Sequence, residues 1–384
     1  MKAVVQSSHS AASSKEAAGS LTTVARAHER EGTPASLWPG RARLSPTRWL
    51  VTLALLAAAA FVGLLVCVQF GVERIGLADA VRILADTFRE GQADVPAEVI
   101  LLHVRLPRVL LAFMVGGCLA VVGVGLQALL RNPLADPYVL GVSSGSALGA
   151  GLAILFGLTG TVLAFSAVPL CAMIGGLSAV LVVYRIAASY GYVPVHTLLL
   201  AGVILNAIFS ALVMFVTSIM EPNRSFGMMA WLMGTLTAPD YPAMLVLGVY
   251  VATGTVVLFR QAAALNLLTV GEEAARSLGV DVEMVKKTVF FTSALLTGAV
   301  VSVSGMIGFV GMVIPHALRL TVGPDHRLLL PASALVGGMY LMAADTVART
   351  LLAPAEIPVG VVTALAGGPF FIYLLMQGKG RVSA

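Results

Sequence analysis

Four charged side chains stand beside or within long apolar runs, where a charge is costly and points to a specific use. Arg105 and Arg108 are three residues apart, and Asp345 and Arg349 are four apart, so each pair is predicted to share one face of a helix. Because arginine is suited to bidentate pairing with carboxylates, Arg105 and Arg108 could bind an acidic partner. Anchoring of both side chains in lipid headgroups is the alternative.

Asp345 is the only acidic residue well inside a predicted apolar span. A lone charge in the middle of a membrane helix costs about 2.5–3.5 kcal/mol, so pairing with Arg349 favours a structural salt bridge near a helix end. A proton-coupling carboxylate is the competing interpretation, because intramembrane acids also relay protons.

A polar segment between two apolar runs, residues 267–287, contains a predicted short helix. Gly271 marks its start, Glu272 and Glu273 stand in its first turn, and Gly279 stands at its end, which are favoured positions for these residue types. A short exposed helix buries little apolar surface by itself. We therefore expect it to dock against another protein, with a solvated loop helix as the alternative.

The motifs of soluble catalysis are missing from the sequence. It contains no GxxxxGK[ST] phosphate loop, no HExxH and no GxSxG. The six histidines form no ligand set, and the three cysteines lie in apolar runs, where thiols usually serve as small packing residues. We expect no catalytic residue and no metal site.

The composition places the chain in a lipid bilayer. Of its 384 residues, 58% are hydrophobic and 11% are charged, whereas about 25% are charged in a soluble domain. The net charge of +5 is not concentrated beside stacking aromatic residues, which excludes a nucleic-acid-binding protein. A disordered protein and an ordinary soluble enzyme are excluded by the hydrophobic content.

Apolar runs predict ten membrane spans. The runs are residues 49–70, 109–130, 138–184, 197–220, 242–259, 288–315, 328–352 and 357–378. Residues 138–184 exceed what one crossing of a core of about 30 Å needs, so a turn is predicted at residues 157–160. Ser and Gly at residues 302–308 predict a second break, followed by a return helix that ends near Leu320. An unbroken helix, which would give nine spans, is the alternative.

Lys and Arg are more frequent in the segments that this count places inside, which predicts that both ends are cytoplasmic. Residues 1–48 are predicted to be a disordered cytoplasmic tail, residues 49–378 the transmembrane domain, and residues 379–384 a cytoplasmic end. Gly141, Gly145 and Gly149 recur every four residues, which favours close helix packing over the lining of a pathway.

Several short motifs occur in one order along residues 50–378. They are Arg105-Leu-Pro-Arg108, Gln127 to Arg131, Asn132-Pro-Leu-Ala-Asp-Pro137, Leu140-Gly-Val-Ser-Ser-Gly145, Gly271-Glu272 to Leu278-Gly279, Gly308-Phe-Val-Gly-Met-Val-Ile-Pro-His316, Asp325-His-Arg327, Ala344-Asp-Thr-Val-Ala-Arg349 and Glu356-Ile-Pro-Val-Gly360. Together they resemble the FecCD-type permeases, the membrane subunits of type II ATP-binding-cassette (ABC) importers for vitamin B12, ferric siderophores and haem.

The resemblance implies an all-α, polytopic membrane protein with about ten transmembrane helices per subunit and a BtuC-like fold. It implies a permease in the bacterial cytoplasmic membrane that works as a homodimer with two cytosolic ATPase subunits and a periplasmic or surface substrate-binding protein. The chain itself would bind no cofactor and hydrolyse no ATP, since ATP and Mg would bind the ATPase subunit. The cargo would be a metal chelate, either a ferric siderophore, haem or cobalamin.

The resemblance also assigns roles to residues. Arg105, Arg108 and Arg349 would dock the binding protein, although for Arg349 this competes with a private pair with Asp345. The coupling helix that contacts the ATPase would comprise Gly271, Glu272, Ala274, Arg276, Leu278 and Gly279. Asn132 and Leu134 would form a cytoplasmic gate that the turn at residues 193–197 completes.

Two other classes of function compete with this interpretation. An ion-coupled secondary transporter would depend on Asp345 and would need no ATPase. A membrane-bound enzyme would need a polar cluster at membrane depth, and the sequence indicates none.

Overall fold

The computed structural model describes residues 45–71, 76, 78–79, 82–83, 96–158, 160–162, 165–188, 192 and 194–379. The chain divides into two units, residues 1–48 and residues 49–384. Most of the predicted cytoplasmic tail lies outside the described residues, as do residues 380–384 of the predicted cytoplasmic end.

Helices dominate the described part of the chain. In chain order they are α1 (Pro46–Gln69), α2 (Pro96–Val99), α3 (Leu106–Leu129), α4 (Val142–Leu155), α5 (Ala167–Ala187), α6 (Val195–Ser218), α7 (Pro222–Leu232), α8 (Tyr241–Arg260), α9 (Ala262–Leu268), α10 (Glu272–Ser277), α11 (Val282–Ser304), α12 (Val310–Thr321), α13 (His326–Thr350) and α14 (Val359–Lys379). A π-helical stretch, Ile100–Arg105, leads directly into α3, and a 3₁₀ turn, Pro137–Leu140, leads towards α4.

Among the described residues, seven helices are long and apolar enough to cross a membrane. They are α1, α3 with its π-helical lead, α5, α6, α8, α11 and α13. The helices α4, α12 and α14 occupy the other three segments in which the sequence predicts a span. The architecture is therefore that of an all-α polytopic membrane protein, as predicted. Two antiparallel strands of two residues each, β1 (Thr161–Val162) and β2 (Phe165–Ser166), follow the predicted turn between α4 and α5.

The second predicted break is present between α11 and α12. Gly305 adopts a positive φ of 64°, and a Cβ atom there would collide with the carbonyl oxygen of Trp231. Irregular backbone at membrane depth needs internal hydrogen-bond partners. The Ile307 N–H donates to the Tyr138 hydroxyl at 2.6 Å, and the Ser304 carbonyl accepts from the Thr235 N–H at 2.9 Å. These contacts stabilise the non-helical segment between the two helices.

Small residues allow the helices to pack closely. A Cβ atom on Gly145 would lie 2.5 Å from the Gly175 carbonyl oxygen, and one on Gly149 would collide with the Cys171 carbonyl oxygen. The predicted packing role is confirmed for these two glycines, which face α5. Gly141 instead caps the start of α4 with a φ of 79°.

Helix α3 is the central element of the fold. Most of its side chains are buried, and it packs against α13, α11, α12 and α8. Its 24 residues extend over about 36 Å at 1.5 Å per residue. The charged residues singled out in the sequence gather at its two ends.

Candidate functional site

The first group of charges lies at the N-terminal end of α3. We call Arg105, Arg108, Asp345, Arg349 and Glu356 the Asp345 cluster. Asp345 on α13 is completely buried between two guanidinium groups. The Nε atom of Arg108 lies 2.9 Å from its Oδ1, and the Nε atom of Arg349 lies 2.9 Å from its Oδ2. Arg108 also pairs through Nη1 with Glu356 Oε2 at 2.9 Å. A buried carboxylate thus has the cationic partners that its burial requires.

Two arginines of this cluster also bind the C-terminal end of α1. Arg349 Nη1 donates to the Phe70 carbonyl at 3.2 Å, and Arg105 Nη1 donates to the Gln69 carbonyl at 3.4 Å. The guanidinium of Arg105 lies so close to Gly71 that a Cβ atom there would be 2.6 Å from its Nη2. Cationic groups stabilise the unpaired carbonyls at a helix C-terminus. The cluster therefore joins α1, α3 and α13.

The three arginines assigned to binding-protein docking are turned inwards. Arg105 is 5% exposed and Arg349 6%, and the side chain of Arg108 is 16% exposed. Of the two roles that the sequence leaves open for Arg349, the structure shows the pair with Asp345. Docking through these arginines stays a prediction. Glu356, which sequence reasoning missed, has the most exposed charged side chain of the cluster.

The second group of charges lies at the other end of α3. We call Arg131, Glu272, Arg276, Glu283 and Lys286 the Lys286 cluster. Lys286 on α11 is 2% exposed, and its Nζ atom lies 2.7 Å from Glu272 Oε2 and 3.1 Å from Glu283 Oε1. Arg276 Nη2 lies 3.4 Å from Glu272 Oε2 and 3.6 Å from Glu283 Oε1. The cluster joins α10 to the start of α11.

The helix predicted between Gly271 and Gly279 is present as α10. Glu272 and Glu273 occupy its first turn, where carboxylates favour the helix dipole. Gly279 follows the helix with a φ of 84°, and its N–H donates to the Arg276 carbonyl at 2.9 Å. Only a residue without a side chain adopts this conformation without strain, which explains the glycine.

The surface of this segment is apolar as well as charged. Leu278 is 67% exposed, Val270 just before the helix is also exposed, and Ala274 is half-buried. Val270 and Leu278 flank α10 on either side and are available for contact with another protein. The segment therefore offers a contact surface, and its role as a coupling helix stays a prediction.

The residues assigned to the gate follow α3 directly. Asn132 and Leu134 are exposed, and the Asn132 Oδ1 atom accepts from the Leu134 N–H at 2.9 Å. Asp136 accepts from the Tyr138 N–H at 2.9 Å, and burial raises the pKa of its carboxyl group to about 6. Val193 in the predicted gate turn lies outside the described residues, and Pro194 stands immediately before α6. The gate role of these residues is untested by the geometry.

Among the described His, Cys, Asp and Glu residues, no group of three or more could hold a metal ion. The charged side chains near membrane depth pair with each other and with backbone carbonyls. The arrangement can hold helices together and present a contact surface.

The motifs that follow one another along the sequence agree with a comparison against known families. The sequence profile of the FecCD transport family matches residues 55–377. The chain belongs to the FecCD transport family. This FecCD permease is a transport protein of the membrane, and the comparisons give no support to an ion-coupled transporter.

Relatives with similar sequences cover most of this FecCD permease. It is 44% identical over 286 residues to the hemin transport system permease protein HmuU of Yersinia pestis, over 72% of this chain and 83% of that one. It is 45% identical over 286 residues to the cobalamin import system permease protein BtuC of Halobacterium salinarum, over 74% of this chain and 75% of that one.

A solved structure shares the fold. It is described as "an inward-facing conformation of a putative metal-chelate type ABC transporter", and it matches with a TM-score of 0.72 and 33% sequence identity. The match covers 86% of the present chain and 99% of the other. The similarity of fold thus extends over most of the chain.

Proposed function

We propose that this FecCD permease carries a metal chelate across the bacterial cytoplasmic membrane as one of two identical membrane subunits of an ABC importer. The observation that carries the proposal is the likeness, in sequence and in fold, to a metal-chelate type ABC transporter over most of the chain. Permeases named for hemin and for cobalamin support the same cargo class. Haem, a ferric siderophore and cobalamin are the candidate cargoes.

ATP is hydrolysed on separate cytosolic subunits in this proposal. The sequence has no phosphate-binding loop, so ATP and Mg bind the partner and the permease holds no cofactor. The segment from Gly271 to Gly279 seats on the ATPase as the coupling helix. The exposed Leu278 and the short length of α10 support this, because such a helix gains apolar burial only by docking.

A substrate-binding protein delivers the cargo to the opposite face. The Asp345 cluster lies at the end of α3 away from α10, which supports a location near that docking site. Since Arg105 and Arg349 are buried, we expect Arg108 and the loop around Glu356 to be nearest to the partner, with the two inner arginines fixing their position. In this orientation we place both chain ends in the cytoplasm, as the distribution of Lys and Arg predicts.

Transport in this scheme needs no tight cargo site within the membrane. ATP binding draws the two ATPase subunits together, and the coupling helices move with them. The membrane helices tilt about the dimer axis, and the gate at Asn132 and Leu134 changes its opening. High affinity resides in the binding protein, which releases the chelate into a weakly binding pathway.

Uptake by a reconstituted importer tests the proposal. Proteoliposomes containing the permease, the ATPase subunits and the binding protein are supplied with labelled hemin, a ferric siderophore and cobalamin, each in competition with the others. We expect ATP-dependent uptake of one chelate that requires the binding protein. Failure to take up any of the three would contradict the proposed cargo class.

A double variant, Glu272→Gln with Leu278→Ala, tests the coupling helix in the same vesicles. We expect ATP hydrolysis by the ATPase subunits to continue while uptake is lost. Normal uptake by this variant would refute the assignment of the segment.

A further inference from the structure

Lys286 occupies an unusual position for a lysine. Its side chain is 2% exposed and stands one turn inside α11. A buried ammonium group is tolerated when it is paired, and three groups surround this one. Besides Glu272 and Glu283, the ring of Tyr192 lies with its centroid 5.0 Å from Nζ, within the range of a cation–π contact. Tyr192 belongs to the segment between α5 and α6.

Glu272 contacts cations with both of its carboxylate oxygens. Its Oε2 atom faces Lys286 and Arg276, and its Oε1 atom lies 3.6 Å from Arg131 Nη2. Arg131 directly follows the last turn of α3 and precedes Asn132. Arg131 has a positive φ of 46°. This left-handed conformation is energetically unfavourable for a residue that carries a side chain, so the surrounding structure must hold it there. The carboxylate therefore bridges α10 to the loop that contains Asn132 and Leu134.

The apolar packing of α10 is too small to fix its position. Ala275 is the one buried residue of this six-residue helix. Its charged contacts are correspondingly important, since they connect it to α11, to the loop after α3 and, through Lys286, to Tyr192. Buried ion pairs often add little net stability compared with apolar packing, and the best-attested reason for keeping one is the fixing of a register or a switch.

We propose that Glu272 and Lys286 form the joint through which movement of α10 reaches the loop after α3, which contains Asn132 and Leu134, and the ring of Tyr192. The inference rests on the proposed function and adds the positioning residues that transmit the motion. When α10 is displaced, Glu272 moves with it and pulls its ion-pair partner Arg131, which is adjacent to Asn132. Lys286 moves with Glu272 and carries the contact to Tyr192, two residues before Pro194. Neither residue contacts the cargo.

The test measures the opening of the gate without using a cargo. Leu134→Cys is labelled with a water-soluble maleimide in the complex of permease and ATPase subunits in nanodiscs. Cys67 and Cys118 are buried, and the half-buried Cys171 is replaced by alanine. The labelling rate is compared between nucleotide-free complex and complex with a non-hydrolysable ATP analogue and Mg. With Glu272 and Lys286 intact we expect the two rates to differ about tenfold, within the range of roughly 5- to 150-fold typical of coupled sites.

Four further variants isolate the joint. Lys286→Met should bring the two labelling rates to within about twofold of each other. Lys286→Arg keeps the charge and should keep most of the difference. Lys287→Met removes the neighbouring lysine, which no ion pair described here involves, and should leave the difference unchanged. The double variant Lys286→Met with Glu272→Gln removes one charge of each sign.

The double variant separates a joint from a purely structural ion pair. It removes the Glu272 carboxylate together with its lysine partner, so we expect it to unfold closer to the temperature of the unmodified protein than Lys286→Met does, and still to show no nucleotide-dependent labelling. A labelling difference in the double variant equal to that of the unmodified joint would overturn the inference. So would the loss of the difference in Lys287→Met as complete as in Lys286→Met.

The same experiment distinguishes this inference from the proposed function. If the complex with an intact joint shows no response of Leu134→Cys to nucleotide, the proposed gate and its coupling to an ATPase are wrong. If the intact complex responds and the Lys286 variants respond equally, the ATP-driven gate stands and only the joint is refuted.

Discussion

The two charged clusters at the ends of α3 both combine acidic and basic side chains, but they differ in their central residue and in their surroundings. In the Asp345 cluster the central carboxylate is fully buried, and arginines bind it from two helices. In the Lys286 cluster a single buried cation is surrounded by partners that are partly exposed. Charge interactions are much stronger away from water, so the first arrangement is expected to be rigid and the second to be movable. The Asp345 cluster is therefore expected to hold helices in place, and the Lys286 cluster to transmit movement.

The elements that the clusters connect lead to the same conclusion. The Asp345 cluster joins three long helices and binds the terminal carbonyls of α1. The Lys286 cluster connects a six-residue helix with loops and one helix start. A short, weakly packed helix is the part of a structure that moves at low cost.

The largest effect is expected from Asp345→Asn. It leaves the guanidinium groups of Arg108 and Arg349 without their buried counter-ion, and losing one partner of a buried pair costs about 3–5 kcal/mol. Thermal unfolding of the purified permease should show a strongly lowered midpoint. Glu356→Gln is the matched control, because that side chain is 52% exposed, and it should change the midpoint little. Equal midpoints for Asp345→Asn and the unmodified protein would contradict the comparison.

A smaller loss of stability is expected from Lys286→Met. The methionine can fill the buried site, and Glu272 and Glu283 keep a contact with Arg276, so we expect a cost of about 1–2 kcal/mol. The same unfolding assay measures it. A loss of stability as large as that of Asp345→Asn would show that both clusters hold the fold together equally, and would contradict the distinction between them.

Leu278→Ser should affect binding without affecting stability. The side chain is 67% exposed, so the free energy of unfolding should change by less than about 0.5 kcal/mol. Binding of the ATPase subunit should weaken about tenfold, the effect of losing one apolar anchor. Leu352→Ser is the control, because Leu352 is 60% exposed near the Asp345 cluster at the opposite end. ATPase binding weakened equally by both variants would place the interface elsewhere.

The smallest effect is expected from Arg276→Gln. The arginine is about half-exposed and contacts Glu272 and Glu283 at 3.4–3.6 Å, so its pairs are worth about 0.2–1 kcal/mol and weaken in salt. Unfolding midpoints measured at low and high salt should differ more for the unmodified protein than for this variant. A change in the unfolding midpoint that is the same at low and high salt would indicate a packing role for the Arg276 side chain.

Local patterns in the sequence predict most of the helical fold. Apolar runs give the positions of the membrane segments, and the serines and glycines around Gly305 give the break between α11 and α12. The ends of α10 follow from Gly271, Glu272 and Gly279. Each of these signals lies within a few residues of the feature it determines, which is why it can be read without the structure.

The clusters depend on contacts between distant residues, and the sequence predicts them only in part. The spacing of Asp345 and Arg349 indicates their pair, but Arg108 is 237 positions from Asp345 and no local pattern connects them. The buried state of Lys286 is equally hidden, because an isolated lysine beside a polar segment is usually exposed. The docking role that the resemblance implies for Arg105 stays a prediction, and no local pattern indicates the hydrogen bond of its side chain to the Gln69 carbonyl at the end of α1.

The central claim is that separate ATPase subunits drive this permease through α10. Its most direct test is uptake of labelled hemin, a ferric siderophore and cobalamin into proteoliposomes under an imposed proton gradient. One set of vesicles contains the permease alone, and the other also contains the ATPase subunits, Mg-ATP and the binding protein. We predict uptake in the second set only. Uptake by the permease alone, driven by the gradient, would contradict the account.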